Sequence, residues 1–211
     1  YPRSGINAPY QNSHIWVEDN KTSPSVLERN KIWVNDGNFD FMSGNAHILV
    51  KLGAYKNLFS GTSIVQDHAT LQNPEYYDIF PIEVIRDYAQ CHSITLGNWW
   101  GGNSAEQEME RTDGKIPFII HLAEGIDHKT KNEFSILKKS HLLKKNTVIV
   151  HGICLTKDEI RDIRKVEASI CWCPCSNLYL IGNTLDIKTA LEYDVNVVLG
   201  TDSTLTGSIN I

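Results

Sequence analysis

Thr147-Val148-Ile149-Val150-His151 is the clearest strand signal in the chain. Three β-branched apolar residues stand in a row, and a run without a polar face is typical of a strand buried on both sides in a parallel sheet. Pro117 to His121 (PFIIH) has the same form and also ends in a histidine. The two runs therefore predict two buried strands, each with an imidazole at its carboxyl end.

Further strand candidates lie on both sides of these runs. Five more segments are predicted as strands: residues 61–67, 82–87, 91–96, 169–173 and 195–201. Helical patterns fit between several of them, at 129–139, at 187–193 and after Thr156, where Glu159 completes a capping-box pattern. Strands that alternate with helices indicate a parallel sheet covered by helices, which is an α/β fold.

Two α/β architectures fit this alternation, an open doubly wound sheet and a closed (β/α)8 barrel of the TIM type. No glycine-rich phosphate loop follows the first strand, which disfavours a dinucleotide-binding fold. Seven strand candidates are one fewer than a barrel needs, so we predict an incomplete TIM-type barrel in one domain of residues 1–211. The missing strand is expected before Tyr1 or within residues 1–30, which are rich in Asn, Pro and Ser and predicted to be an irregular loop on the active-site side.

The composition is that of an ordinary globular protein, with 41% hydrophobic and 21% charged residues among 211 and a formal net charge of -5. The basic run from Lys138-Lys139 to Lys144-Lys145 is interpreted as a solvated helix face and loop, and no apolar stretch approaches roughly 20 residues. We therefore expect no nucleic acid partner and no membrane association. Tyr1-Pro2-Arg3-Ser4 has no apolar signal core, and the missing initiator Met indicates that Tyr1 is not the natural start. The odd count of five cysteines favours a reduced, cytoplasmic setting.

Three predicted strands end in a residue that can bind a metal or move a proton: His121, His151 and Asp202. In a (β/α)8 barrel the catalytic groups lie at the carboxyl ends of the strands. One such histidine alone is equally well explained as a hydrogen-bonded interior residue, but three groups at one rim indicate a site. Glu124 follows His121 by three residues, and either reaches into the mouth of the barrel or begins a helix whose dipole stabilises it.

These residue types suit metal-assisted hydrolysis. Imidazole and carboxylate groups bind Zn²⁺, and a catalytic zinc keeps one coordination position for water. The metal lowers the pKa of that water towards about 7. A separate carboxylate can then carry the proton from the water to the leaving group.

Five segments resemble, in order, the motifs of the amidohydrolase superfamily, in its branch of cytosine deaminases and triazine chlorohydrolases. His121-Leu122-Ala123-Glu124-Gly125 resembles the HxxE element after barrel strand 5. The other segments are similar to the strand 2 segment, the strand 6 histidine, the strand 7 P-x-S-N signature and the strand 8 aspartate: Gly61–Val65, Thr147–Gly152, Cys173–Leu178 and Leu199–Ser203. The resemblance covers residues 58–206, which would hold barrel strands 2 to 8.

The resemblance implies a role for each strand-end residue. His121 would be a metal ligand, and Asp202 a ligand that also accepts a proton from the attacking water. Glu124 would be the proton shuttle, and His151 would polarise the substrate or join the metal shell. The implied cofactor is one divalent transition metal, zinc or else iron. The implied reaction attacks an sp² carbon of a small-molecule substrate and releases an amine, a halide or a similar group. Assembly as a homo-oligomer is left open.

The sequence departs from the family pattern at both ends. The family has His-x-His at the end of strand 1, supplying two more metal ligands, and no His-x-His occurs in this chain. We expect those ligands before Tyr1; the alternative is a natural non-catalytic relative that acts as a binding scaffold. Family members also continue beyond strand 8, so a fragment is expected.

Several weaker candidates accompany these residues. His68 and His92 are candidates for lining the substrate pocket, but a structural role explains each of them better. Trp99 and Trp100 are candidates for covering a flat substrate and equally for packing under their loop. Ser176 and Asn177 are predicted to hold the rim or contact substrate. Alternation places Cys171, Cys173 and Cys175 on one face of an extended segment, which leaves a thiolate metal or redox protein as a third hypothesis.

Overall fold

The computed structural model describes residues 5, 7–35, 38–40, 44–66, 74–78, 80–97 and 102–208. The helices are α1 (Ser13–Asn20), α2 (Pro24–Trp33), α3 (Gly44–Phe59), α4 (Pro74–Asp78), α5 (Ala105–Arg111), α6 (His128–Lys131), α7 (Glu133–Lys139), α8 (Lys157–Lys165), α9 (Pro174–Ile181) and α10 (Ile187–Glu192). The strands are β1 (Val34–Asn35), β2 (Asn38–Phe39), β3 (Ile64–Gln66), β4 (Glu83–Ile85), β5 (Ala89–Ser93), β6 (Phe118–Leu122), β7 (Thr147–His151), β8 (Ser169–Trp172) and β9 (Asn196–Leu199).

A five-stranded parallel sheet forms the centre of the structure, with the strands in the order β5-β6-β7-β8-β9. Leu122 pairs with His151, so β6 and β7 end side by side. Neighbouring parallel strands need a crossover between them, and helices supply it. The predicted α/β parallel sheet is therefore confirmed, with all the carboxyl ends at one edge.

Two smaller sheets lie outside this one. β3 and β4 form a separate parallel pair, in which Val65 pairs with Val84. Both strands were predicted from the sequence. β1 and β2 form a short antiparallel hairpin that the sequence did not predict.

The two faces of the central sheet are buried against different partners. Ile120 and Ile149 belong to the larger cluster, in which the sheet packs against α7 and α8 through residues such as Leu137 and Ile163. The opposite face carries a smaller cluster: Tyr88, Ile119, Val150 and Cys173. Burial on both faces is the reason that β6 and β7 are apolar at nearly every position.

The predicted capping box at the start of α8 is confirmed. The Thr156 hydroxyl accepts a hydrogen bond from the backbone N–H of Glu159 at 3.3 Å, and the Glu159 carboxylate accepts one from the N–H of Thr156 at 2.8 Å. Two of the otherwise unsatisfied N–H groups at the helix start thereby gain partners. The cap fixes where α8 begins, and thus which of its side chains face the sheet.

Two predictions of local structure were wrong. Residues 1–30 were predicted to be irregular, yet α1 and most of α2 lie there, because Asn12 and Ser23 are helix caps rather than loop residues. Cys175 was predicted to share an extended face with Cys171 and Cys173. The strand ends at Trp172, and α9 begins at Pro174, so Cys175 lies on a helix.

Other element boundaries differ slightly from prediction. The third predicted strand, 91–96, begins earlier and ends at Ser93. The helix predicted over 129–139 is two helices that meet at Asn132. The predictions for Tyr1 to Ser4, His68, Trp99 and Trp100 lie outside the described residues. No helix among the described residues is long and apolar enough to span a membrane.

Candidate active site

The carboxyl ends of β6 and β7 bring two histidines together. His121 pairs with Val150, and His151 pairs with Leu122, so the two imidazoles stand on adjacent strands. Their ring centroids are 5.4 Å apart, and the ring planes are 27° from parallel. The sequence placed each residue at a strand end, and the register of the sheet makes them neighbours.

The tautomer of His121 follows from its hydrogen bond. Its Nδ1 lies 2.8 Å from the backbone carbonyl oxygen of His92. A carbonyl oxygen can only accept, so Nδ1 must carry the hydrogen and the lone pair is on Nε2. A histidine that donates its other ring N–H to a backbone carbonyl is the usual arrangement of a metal-binding imidazole.

His151 is oriented in the same manner by a side chain. It is 1% exposed, and its Nδ1 lies 2.8 Å from Oδ1 of Asn177. The Asn177 amide donates in turn to Thr184 Oγ1 at 3.2 Å, which fixes the direction of the amide group. Nδ1 of His151 therefore donates to Asn177, and the lone pair of the neutral ring is on Nε2.

Two carboxylates complete the cluster. Potential ligand atoms of Glu124, His151 and Asp202 all lie within 4.8 Å of one another. Nε2 of His151 is 3.4 Å from Oε1 of Glu124. Asp202 is held by the Ser176 hydroxyl, which donates to Oδ2, and by the Ser203 N–H, which donates to Oδ1 at 2.5 Å.

The electrostatics of the cluster favour a bound cation. Burial raises the pKa of Glu124, and the nearby His151 only partly opposes that rise. Burial alone would lower the pKa of His151, but Glu124, Asp202 and the Asn177 hydrogen bond together outweigh it, so the pKa of His151 is raised. A neutral imidazole lone pair facing a carboxylate oxygen needs a proton or a metal ion between them, which fits a divalent metal.

The backbone at the strand ends adopts unusual conformations that aim these side chains. Ala123, His151 and Asp202 have φ values of +57°, +74° and +57°. Residues other than glycine rarely adopt positive φ, and such residues concentrate at functional sites. Strict alternation after Val150, which faces the smaller cluster, would turn His151 to the opposite face. The positive φ of His151 breaks that alternation of side-chain direction.

An N-terminal segment packs against the turn that carries Glu124. The Ser13 N–H donates to the carbonyl of Glu124 at 3.2 Å, and the Ile126 N–H donates to the carbonyl of Gln11 at 2.8 Å. A Cβ atom at Gly125 would lie 2.6 Å from the Gln11 oxygen, so only glycine permits this approach. The sequence predicted residues 1–30 to lie on the active-site side, but it did not predict these contacts, and no local pattern marks them.

The predicted site residues divide into three groups. Glu124, His151 and Asp202 form the cluster, with His121 beside it. Ser176 and Asn177, both 1% exposed, hold Asp202 and His151. The His92 ring lies 4.7 Å from the His121 ring, between centroids. Contacts of Ser176, Asn177 or His92 with a substrate remain predictions, as does the role of Trp99.

Among the described residues, the cysteines contribute to no group of three or more potential metal ligands. The group of potential ligands found among the described residues contains no cysteine. The sulfur atoms of Cys171 and Cys173 would lie 2.8 and 2.5 Å from a Cβ at Gly200, so glycine makes room for both thiols. The hydrogen bond between the two thiols lowers the pKa of Cys171 and raises that of Cys173.

Known proteins resemble this chain in sequence. The sequence pattern of the amidohydrolase family matches residues 113–211, which contain all four strand-end residues. The chain is 39% identical to human guanine deaminase over 130 residues, and to 5-methylthioadenosine/S-adenosylhomocysteine deaminase of Pyrococcus abyssi over 90 residues. Those stretches cover 60% and 39% of this chain, but only 28% and 21% of the relatives.

A solved structure shows the same fold. Atrazine chlorohydrolase from Arthrobacter aurescens, crystallised with zinc, superposes on 97% of this chain with a TM-score of 0.61. The aligned part is 58% of that enzyme, and the sequences are 15% identical. The predicted class, part of a TIM-type barrel, is confirmed. Residues 113–211 resemble the amidohydrolase family, and the chain spans less than a third of the length of the curated relatives described above.

Proposed function

We propose that the protein is a metal-dependent hydrolase of the deaminase type. It would replace an amino group on an sp² carbon of a small nitrogen heterocycle with an oxygen from water. The observation that carries this proposal is the cluster of Glu124, His151 and Asp202, whose ligand atoms lie within 4.8 Å of one another at the carboxyl ends of the strands. Catalytic groups of this class of barrel lie at that edge.

The chain's own residues fit a divalent metal. His121 and His151 each have the lone pair on Nε2, and Asp202 supplies a carboxylate that is already oriented by Ser176. Nitrogen and oxygen ligands suit zinc best, with iron as the second choice. When bound, such a metal supplies Lewis acidity and makes a water molecule easier to deprotonate.

Glu124 is the residue suited to move the proton. Its pKa is raised mainly by burial, and a carboxyl group with a raised pKa is a stronger base that can both accept and return a proton. Its carboxylate lies beside Nε2 of His151 at 3.4 Å. Glu124 would take the proton from the attacking water and deliver it to the leaving amine, while His151 would orient the group under attack.

The relatives support a proposal for the substrate class. Guanine deaminase and 5-methylthioadenosine/S-adenosylhomocysteine deaminase both act, by their names, on amino groups of purine rings. We therefore propose an aminopurine or a related aminated heterocycle as the substrate, with no nucleic acid or membrane partner. Because this chain contains no His-x-His, a non-catalytic binding scaffold is the alternative.

The test measures metal content and turnover on the same sample. The full-length gene product is purified without chelators, its metals are quantified by mass spectrometry, and ammonia release is followed with guanine, adenosine-type nucleosides and cytosine. We expect about one zinc or iron per chain, together with ammonia release from at least one purine. Absence of metal, or absence of turnover after reconstitution with zinc and with iron, would support the scaffold alternative instead.

A further inference from the structure

Glu133, the first residue of α7, is a buried carboxylate that the strand-end pattern did not single out. It is 1% exposed, although it begins a helix at the surface of the sheet. Burial raises its pKa. Among the described residues, none of the ion pairs involves Glu133, so hydrogen bonds must compensate for its lost hydration.

The hydrogen bonds of Glu133 reach two separate segments of the chain. Its Oε2 accepts from the backbone N–H of Ala123 at 2.7 Å. Its Oε1 accepts from the Ser93 hydroxyl at 3.1 Å and from the Thr95 hydroxyl. One carboxylate therefore connects the turn after β6 to the end of β5.

Those two segments hold His121 from both sides. Ala123 lies between His121 and Glu124, and its φ of +57° is a conformation that an alanine adopts only when its surroundings impose it. Ser93 directly follows His92, whose carbonyl accepts the Nδ1–H of His121. Movement at either point would displace a proposed metal ligand, the proposed proton shuttle, or both.

We propose that Glu133 is a positioning residue of the active site, acting through Ala123 and Ser93 on His121 and Glu124. The expected effect of Glu133 on turnover rests on the proposed function, whereas its expected effect on the turn at Ala123 does not. A carboxylate that merely stabilises the start of α7 would affect folding without affecting the site. The two roles differ in what they predict for metal affinity and for the Ala123 amide.

The test uses two substitutions of matched size. In Glu133→Gln, the amide oxygen can still accept from Ala123, while the amide nitrogen donates to the Ser93 and Thr95 hydroxyls, which can rotate to accept. Glu133→Met has similar length but no acceptor. Glu108→Met is the control, because Glu108 is also buried and is bound by Asn103 and Arg111, and Arg111 in turn donates to the carbonyl of Tyr88 just before the start of β5.

For Glu133→Met we expect zinc affinity, measured by competition with a chelator, to fall about 10–100-fold, as is usual when the support of a metal ligand is removed. Turnover should fall by a similar factor, with KM within about threefold of wild type. Glu133→Gln should keep zinc affinity and turnover within about threefold of wild type, because the Ala123 bond survives. Glu108→Met should lower only thermal stability.

Amide hydrogen exchange at Ala123 tests the contact without any activity. We expect exchange there to accelerate at least about tenfold in Glu133→Met, relative to the core amide of Ile149, and to remain slow in Glu133→Gln. If Glu133→Met does not fold, Glu133→Asp replaces it, since the shorter acid cannot span both segments. Wild-type exchange and wild-type zinc affinity in a folded Met or Asp variant would overturn the proposal.

The same experiments give a different result if the proposed function is wrong. If the wild-type protein neither binds zinc nor releases ammonia, the deaminase proposal fails, and exchange at Ala123 alone decides the role of Glu133. Unchanged exchange then overturns the positioning role as well. Faster exchange in Glu133→Met, with slow exchange in Glu133→Gln, supports it.

Discussion

Strands β6 and β7, at the centre of the large parallel sheet, are covered far more completely than strand β3 of the smaller parallel sheet. In the five-stranded sheet, Ile120 and Ile149 are 0% exposed, packed beneath helices of the same chain. In the β3–β4 pair, Ile64 is 57% exposed, and on the neighbouring α3 the aromatic ring of Phe59 is 83% exposed. The residue types are alike, so the difference lies in what covers them among the described residues.

This contrast explains where the site geometry comes from. All four strand-end residues belong to the covered sheet, or to the turns that directly follow its strands. Their hydrogen-bond partners, such as His92 and Asn177, are also fixed by that packing. The hydrogen-bond partners of the site residues are fixed by packing in the central sheet. The geometry of the site therefore does not need the partly exposed β3–β4 region.

The largest effect is expected at the site itself. Glu124→Gln should keep bound metal but lower turnover by about 10²–10⁴, the usual contribution of a general acid/base. Asp202→Asn is the matched change, and it should lower metal affinity and turnover together. Metal content by mass spectrometry and steady-state kinetics separate the two. Near-normal turnover in Glu124→Gln would reduce that residue to a structural role.

A second pair of substitutions tests the difference in coverage directly. Ile149→Ala should lower the free energy of unfolding by about 2–5 kcal/mol, because it leaves a cavity under the helices. Ile64→Ala should change it by no more than about 0.5 kcal/mol, as expected at an exposed position. Urea denaturation measures both. Equal losses would show that the β3–β4 pair is covered in solution.

A third prediction concerns the support of His151. Asn177→Leu removes the acceptor for Nδ1–H and should weaken zinc affinity about 10–100-fold. Asn196→Leu is the control, because Asn196 is exposed and its side-chain amide donates to Ser169 Oγ, away from His151 in the order of the strands. Competition with a chelator measures the zinc affinity of both variants. Unaltered affinity in Asn177→Leu would mean that burial alone orients His151.

The smallest effect is expected at the helix caps. Thr156→Ala should lower the free energy of unfolding by about 1 kcal/mol, since it removes the capping box of a helix that covers the central sheet. Ser23→Ala, at the start of α2, should have a smaller effect, because the capping bond from the Val26 N–H to the Ser23 hydroxyl is long at 3.4 Å. Thermal unfolding of the two variants provides the comparison.

Most of the central sheet could be predicted because its signals are local. The runs that became β6 and β7 are apolar on both faces, and such runs have few explanations other than a buried strand. Residues 1–30 were mispredicted for the opposite reason. Asn, Ser and Pro occur in loops and also at helix starts, so composition alone could not distinguish the two.

The α/β class, the strand ends that carry His121, His151 and Asp202, and the capping box of α8 could all be predicted from local patterns. These features depend on the spacing of buried residues along the chain and on residues a few positions apart. Three other features emerge only in the folded chain: His151 turns back towards Glu124, Asn12 reaches Asp127 across 115 positions, and Glu133 contacts the turn after β6. Such contacts join distant segments through the packing of the whole sheet, and no local period in the chain encodes them.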